Sequence, residues 1–183
     1  IMKELGFNLL ILPDGQRLDN FYAEGYASKF MPEEYVTALS HSNIITIRHL
    51  LPSLEQKVRW PEQANRTIIL VGTRGEVPFI HRAPKEPMLL PVPEGKIVLG
   101  FELWNSLGLS VGDTVTLMGR RFEVETCHPQ RGTRDDITAW IELSAAQEMM
   151  DRAGQINAIL ALKCLCAGND IESIRAEIAA ILP

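Results

Sequence analysis

The sequence lacks any hydrophobic run long enough to cross a membrane. Apolar stretches such as LLIL at 9–12 and IILV at 68–71 have the length of strands, whereas a transmembrane helix needs about 20 apolar residues. Residues 1–12 also lack the basic lead and small-residue cleavage site of a signal peptide. We therefore expect the chain as given to be soluble. Its abrupt start, which runs from Ile1 almost directly into an apolar strand, is typical of a piece cut from a larger protein.

An excess of basic residues is also missing. The chain has 18 Lys and Arg against 23 Asp and Glu, for a formal charge of −5. Nucleic-acid binding normally needs a concentrated basic surface, and the densest basic cluster, in 120–134, is interrupted by acidic residues. The sequence therefore predicts a solvated face there and no nucleic-acid partner. A hydrophobic content of 46% and a charged content of 22% are those of an ordinary folded protein.

Cysteine is scarce, and the three residues present form an odd count without a disulfide framework. Cys164 and Cys166 have one residue between them, which is not the spacing of a C-x-x-C zinc or redox motif. In a strand they would share one face as small buried hydrophobes. No metal site is predicted. In an oxidising compartment, a disulfide from Cys127 to either Cys164 or Cys166 stays open.

Catalytic motifs are scarce as well. The sequence contains no Ser-x-x-Lys or His-Glu-x-x-His pattern, and its Gly-x-Ser-x-Gly match, GLSVG at 108–112, falls within the stretch that we interpret below as backbone turns. Two pairs of acids occur: Glu33 with Glu34 suits a helix start, and Asp135 with Asp136 is expected in a wet loop. Solvated or hydrogen-bonded rings are expected at all four histidines, which are His41, His49, His81 and His128. The sequence therefore predicts no catalytic, cofactor-binding or metal-binding residue, and no enzyme.

The stretch LGLSVGDTVTLMGRRFEV at 107–124 contains the one loop that could suggest phosphate binding. It lacks the Gly-Lys-Ser/Thr ending of a phosphate loop and the repeated glycines of a dinucleotide turn. Gly112-Asp113 and Met118-Gly119 instead flank the alternating strands TVTL and RFEV. We interpret both pairs as turns that reverse the backbone.

The first 75 residues read as a strand, a helix and two further strands. Pro32 is expected at the first position of the helix MPEEYVTALSHSN, and the proline-bounded segment PSLEQKVRWPEQAN is expected to separate the two later strands. Residues 14–30 are expected to be irregular. Their aromatic side chains either pack in the core or form an exposed patch; they are Phe21, Tyr22, Tyr26 and Phe30.

The remainder reads as a β-rich insert followed by a second strand–helix unit. Five prolines in 76–95 predict an extended connector, and Leu99, Leu103 and Leu107 predict a helix that ends at Gly108. A later helix is expected to start at Ser144. The predicted fold is α+β: a discontinuous domain of two strand–helix–strand units, interrupted by a small β domain.

Four segments together resemble the MacB-like periplasmic core domain of FtsX/MacB/LolC-type ABC transporter permeases. They are LGFNLLILP at 5–13, KIVLGFELWNSLGLSVGDTVTLMGRRFEV at 96–124, DDITAWIELSAAQEMM at 135–150 and QINAILALK at 155–163. The resemblance implies a Porter-like subdomain and an inserted Sabre-like β-rich subdomain. The three segments it implies are 1–75 (Porter-like, first part), 76–136 (Sabre-like) and 137–183 (Porter-like, second part). Residues 14–95 match the family less well.

The resemblance also implies a function. The chain would be the extracytoplasmic (periplasmic) part of an inner-membrane permease, without a catalytic motif of its own. It would couple ATP hydrolysis by a cytoplasmic ABC ATPase to export or extraction of a substrate, or to an extracytoplasmic partner. The implied partners are that ATPase, a second permease subunit in a homodimer or heterodimer, and a periplasmic adaptor or a lipoprotein or peptide substrate.

A different class of protein shares the Gly-Asp turns. Some soluble enzyme modules that contain a β-barrel and bind a cofactor, such as molybdopterin-binding domains, resemble the stretch around Gly112. This alternative predicts a deep pocket lined by polar groups within 96–136.

Overall fold

A computed structural model of the chain describes residues 7–82, 87–163 and 170–182. Packing of the Cα atoms divides the chain into two compact units. Unit 1 is drawn from Ile1–Ser53, Gly75–Leu90 and Gly154–Pro183, and unit 2 from Leu54–Arg74 and Pro91–Ala153. Both units are therefore discontinuous in sequence.

The described residues form ten strands, five α-helices and two short 3-10 turns. The strands are β1 (Leu9–Ile11), β2 (Met31–Pro32), β3 (Ile47–Trp60), β4 (Arg66–Thr73), β5 (Lys96–Leu99), β6 (Thr114–Leu117), β7 (Arg120–Cys127), β8 (Thr138–Glu142), β9 (Gln155–Ile156) and β10 (Ala158–Lys163). The helices are α1 (Leu18–Glu24), α2 (Glu34–His41), α3 (Phe101–Leu107), α4 (Leu143–Met149) and α5 (Ile171–Ile181), and the 3-10 turns are Pro61–Gln63 and Arg134–Ile137. This mixed α+β content confirms the predicted fold class.

Unit 1 is built on an antiparallel sheet in the order β1-β10-β3. Leu160 pairs with Leu10 on one side and with Leu51 on the other. The register of β10 against β3 shifts between Leu160 and Leu162, which marks a β-bulge. A second, two-stranded ladder joins β2 to β9. Apolar side chains of α2 and α5, including Val36, Leu39 and Ile174, are fully buried in the core of this unit.

The structure corrects several local predictions in unit 1. Pro32 lies in β2 and not in the helix, and α2 starts at Glu34. Residues 14–30 are not wholly irregular, because they contain α1. That helix ends at Gly25, which adopts the left-handed conformation with φ 81° and donates its N–H to the Phe21 carbonyl at 2.7 Å. Gly25 could have indicated the end of a helix, but a helix of seven residues shows too little hydrophobic periodicity to be assigned from the sequence.

The segment PSLEQKVRWPEQAN is mostly strand, since β3 continues through Pro52 to Trp60. Pro52 lies opposite Ile159 of β10. Burial explains why the polar residues do not break the strand: Leu54 and Trp60 are fully buried, and the Trp60 indole N–H donates to the Thr116 carbonyl at 2.8 Å. Tertiary packing therefore outweighs the local polarity of the segment.

Unit 2 contains the end of β3 and five further strands, in the order β3-β4-β8-β5-β7-β6. The pairs β4–β8 and β5–β7 are parallel, while β5–β8 and β6–β7 are antiparallel. Helix α4 packs on β4 at Gly72, where a Cβ would lie 2.3 Å from the Ala146 Cβ. Only glycine allows this close approach.

The compact units do not follow the borders predicted at 75/76 and 136/137. Strand β8 and helix α4, predicted in the second Porter-like segment, lie in unit 2 with β5, β6 and β7. Residues 76–90, predicted in the Sabre-like insert, lie in unit 1. The assignment of Porter-like and Sabre-like segments therefore stays a prediction.

Candidate functional site

The histidine rings of unit 1 are hydrogen-bonded to other groups of the same unit, as the sequence predicts. The His41 Nδ1 lies 2.7 Å from the Thr37 carbonyl oxygen. The His81 Nε2 lies 3.1 Å from the His41 carbonyl oxygen, and the His49 Nδ1 lies 2.7 Å from a carboxylate oxygen of Glu76. Each ring therefore has a hydrogen-bond partner within unit 1.

The side chains around Cys127 and His128 in unit 2 also have structural contacts. The His128 ring packs edge-on against Trp140 with centroids 5.2 Å apart, and its carbonyl accepts the Trp104 indole N–H at 2.8 Å. Cys127 has no disulfide partner among the described residues, and burial, followed by the Asp113 carboxylate, raises the pKa of its thiol. The described residues contain no group of three or more His, Cys, Asp or Glu that could hold a metal ion.

Two cysteines are predicted as alternative disulfide partners of Cys127. They are Cys164 and Cys166, and both lie outside the described residues. Both pairings with Cys127 therefore stay open.

The Gly112-Asp113 loop supports its own backbone. Gly112 has φ 91° and donates its N–H to the Val124 carbonyl at 2.8 Å. The Asp113 carboxylate accepts the Ser110 N–H at 2.8 Å, while the Val124 N–H donates to the Asp113 carbonyl. The aspartate thus closes the turn that begins β6. This geometry matches the structural role predicted for the loop.

The acidic pair Asp135 and Asp136 is not in a wet loop, which corrects the prediction. The two residues are only 7% and 6% exposed. The Asp136 carboxylate accepts the backbone N–H groups of Arg131 and Gly132 at 2.9 and 2.8 Å. The Arg131 guanidinium donates to Asp135 at 3.0 Å. The position of Arg131 and Arg134 shortly before the two acids in the sequence was the available signal, because buried carboxylates need such partners.

Glu55 of β3 extends this charged cluster. Its carboxylate forms an ion pair with the Arg134 guanidinium. Although 24% of its side chain is accessible, burial and then the neighbouring Asp135 charge raise the pKa of Glu55 to about 7, against the opposing effect of Arg134. A carboxyl of this pKa is suited to proton transfer. Here, however, the Glu55 carboxyl holds Arg134, which fixes the loop before β8. The sequence shows no sign of this ion pair, because the two residues are far apart in the chain.

The aromatic side chains of residues 14–30 lie at the surface or are only partly buried. Helix α1 has no buried residue. Leu18 and Tyr22, one turn apart, are 58% and 77% exposed, and Phe21 packs edge-on against Tyr22 with centroids 5.7 Å apart. We call these three residues the α1 face. Of the two alternatives for the four aromatic side chains, packing in the core is wrong for Tyr22, and Phe21, Tyr26 and Phe30 are only partly buried.

None of the helices in the described ranges combines the length and the apolarity that a membrane crossing requires. No family model matches the chain. A search of curated proteins also finds no match.

Solved structures do show a likeness. The extracellular domain of the noncanonic ABC-type transporter YknZ from Gram-positive bacteria matches 94% of this chain and 90% of its own, with a TM-score of 0.55 and 12% identity. The periplasmic region of MacB from Actinobacillus actinomycetemcomitans matches 83% of this chain and 72% of its own, with a TM-score of 0.53 and 12% identity. The chain therefore has the fold of these transporter domains, which confirms at the level of fold the resemblance inferred from the sequence.

Proposed function

We propose that the chain is a non-catalytic, extracytoplasmic domain of an ABC transporter permease. The observation that carries the proposal is the likeness to the YknZ extracellular domain over 94% of this chain. The likeness extends across both compact units, which favours a whole domain of this kind over a shared supersecondary motif. At 12% identity, this likeness establishes the fold. We infer the function from the fold together with the exposed α1 face and the contacts of the buried polar groups.

The buried polar groups support a structural role and not a catalytic one. The Asp135 and Asp136 carboxylates are engaged by backbone amides and arginines, and Glu55 is engaged by Arg134. A reactive site needs a nucleophile, a base and an oxyanion donor around one free position. In this cluster the carboxylates are hydrogen-bonded to arginines and backbone amides of the same loop. The cluster therefore stabilises the conformation of the loop.

The proposed location and partners follow from the proposed function. The whole protein would reside in the inner membrane, with this segment in the periplasm. A cytoplasmic ABC ATPase would supply the energy, and a second permease subunit, identical or different, would complete the transporter. The domain would relay movement to a periplasmic adaptor or to a lipoprotein or peptide substrate.

The α1 face is the surface we assign to contact with the second permease subunit or the transported molecule. Leu18 and Tyr22 expose apolar area at i and i+4 on one helix side. Exposed aromatic residues of this kind are enriched at protein interfaces. In the monomer, α1 buries no side chain completely, so this helix contributes little to the core.

Accessibility labelling in whole cells tests the proposal. Gln130→Cys places a thiol at an exposed loop position, in the full-length protein with Cys127, Cys164 and Cys166 replaced by alanine. A membrane-impermeant maleimide should label it in cells whose outer membrane alone has been permeabilised, and an ABC ATPase should co-purify with the protein. A cysteine in that ATPase, as the control, should react only after lysis. Labelling of position 130 only after lysis would contradict the proposed location.

A further inference from the structure

Residues 87–90, which we call the strap, cover an apolar face of the unit 1 sheet. Met88 and Leu89 of the strap are half-buried against this face. The face consists of Phe7, Leu51 and Leu160, with Leu10 and Ala158 at its margin. Because Phe7, Leu51 and Leu160 are no more than 8% exposed with the strap in place, the strap shields them from water.

One residue, Glu76, holds the strap through polar contacts. A single oxygen of its carboxylate accepts the N–H groups of Met88 and Leu89, and its own N–H donates to the Leu89 carbonyl at 3.3 Å. Pro87 has no N–H to donate. Within the part of the chain that the structure describes, all polar contacts of the strap go to Glu76.

The second oxygen of the Glu76 carboxylate is fixed by His49. The His49 Nδ1 lies 2.7 Å away, and the two side chains are only 14% and 7% exposed. A carboxylate oxygen accepts hydrogen bonds, so this contact is a hydrogen bond when the His49 ring carries an N–H at Nδ1. His49 itself sits at the β-bulge of β3 with φ 53°, a left-handed conformation that is uncommon outside glycine. Next to Glu76, the Val77 N–H donates to the Leu50 carbonyl at 2.7 Å, which anchors the residue to β3.

We propose that the strap is a releasable cover latched by Glu76. It opens as a local unit and exposes the apolar face, while β1, β10 and β3 stay paired. Three features favour local opening: the strap has a single polar anchor, its covering side chains are only half-buried, and Leu90 at its end is 70% exposed. Segments with few buried contacts open at lower free energy than the strands beneath them. The inference is independent of the proposed transporter function.

Native-state hydrogen exchange of the unmodified protein tests the inference directly. In low urea, the amides of Met88 and Leu89 should exchange through an opening whose rate does not depend on urea. They should exchange at least about tenfold faster than the amide of Leu160 in β10. If they exchange only with the global unfolding of unit 1, with the same urea dependence as Leu160, the strap is part of the core and the proposal is overturned.

The variant Glu76→Ala tests the latch. Loss of the acceptor should speed exchange of the Met88 and Leu89 amides by about tenfold or more and increase the fluorescence of the apolar probe anilinonaphthalene sulfonate. Protection of Leu160 should stay at the wild-type level. Glu94→Ala, at an exposed glutamate of the same proline-rich stretch, should change neither readout. Unchanged exchange at Met88 and Leu89 in Glu76→Ala overturns the latch, and if that variant fails to fold, the exchange of the unmodified protein decides.

Discussion

Gly100→Ala should destabilise the protein severely. A Cβ at this position would lie 2.0 Å from the Asp135 carbonyl oxygen and 2.8 Å from two backbone atoms of Asp136. All three are backbone atoms that the Asp135–Asp136 cluster holds in place, so no flexible side chain can move aside. The Gly100 N–H also donates to the Thr138 carbonyl at 2.8 Å, and relief of the clash would break that bond. We expect a loss of about 3 kcal/mol or more in the free energy of unfolding.

The control is Gly112→Ala. Gly112 has φ 91° and open space around its missing Cβ, so alanine there meets backbone strain alone, at about 1 to 2 kcal/mol. Urea denaturation of both variants measures the difference. Equal stabilities of the two variants would show that the contact between Gly100 and Asp135 is looser than the structure indicates.

In the unmodified protein, the free energy of unfolding should decline as the pH rises, and Glu55→Gln should remove this decline. The pKa of Glu55 is raised from 4.5 to about 7, chiefly by burial. Between these values the folded protein binds a proton that the unfolded chain has lost, so the contribution is fully present below pH 4.5 and is lost as the pH rises through 7. From the size of the pKa shift, and allowing for the accessible quarter of the side chain, we expect the free energy of unfolding to fall on the order of 2 kcal/mol as the pH rises through 7.

Glutamine cannot titrate, so this part of the pH profile should flatten between pH 5 and pH 8 in the variant. Chemical denaturation at closely spaced pH values measures the slope, with Glu94→Gln at an exposed position as the matched control. A slope in Glu55→Gln as steep as in the unmodified protein would mean that the Arg134 pair, and not desolvation, governs this carboxyl.

Turns and helix ends formed by glycine were the most predictable features of the fold, because they depend on a few neighbouring residues. Gly108 ends α3 with φ 65° as predicted, and Gly112 and Gly119 turn the chain around β6. In each case a left-handed glycine decides the local conformation.

Predictions failed where a distant contact or a neighbouring residue competes with the local signal. Helix α4 is capped by Glu142 and not by Ser144, because the Glu142 carboxylate reaches the N–H groups of Ser144 and Ala145, both at 3.1 Å. Leu99 belongs to β5, where it pairs with Ala139 of β8, and only Leu103 and Leu107 belong to the helix. Long-range pairing of this kind leaves no trace in a short sequence window.

The candidate functional features were the least predictable. The ion pair between Glu55 and Arg134 joins residues 79 positions apart, and the contact between His49 and Glu76 depends on a β-bulge. Charge patterning can suggest that buried acids need partners, but it cannot choose among the arginines available. The exposed α1 face could be proposed from its aromatic residues, yet only the structure shows which of them lie in water.

Our central proposal is that this domain moves with ATP hydrolysis carried out by a separate cytoplasmic ATPase. Its most direct test is the distance between two spin labels, one on each permease subunit, in the intact transporter reconstituted in lipid nanodiscs. Arg121→Cys provides an exposed labelling position on β7. The account predicts that the distance distribution shifts between the nucleotide-free and the vanadate-trapped states. An unchanged distribution during continuous ATP turnover would contradict it.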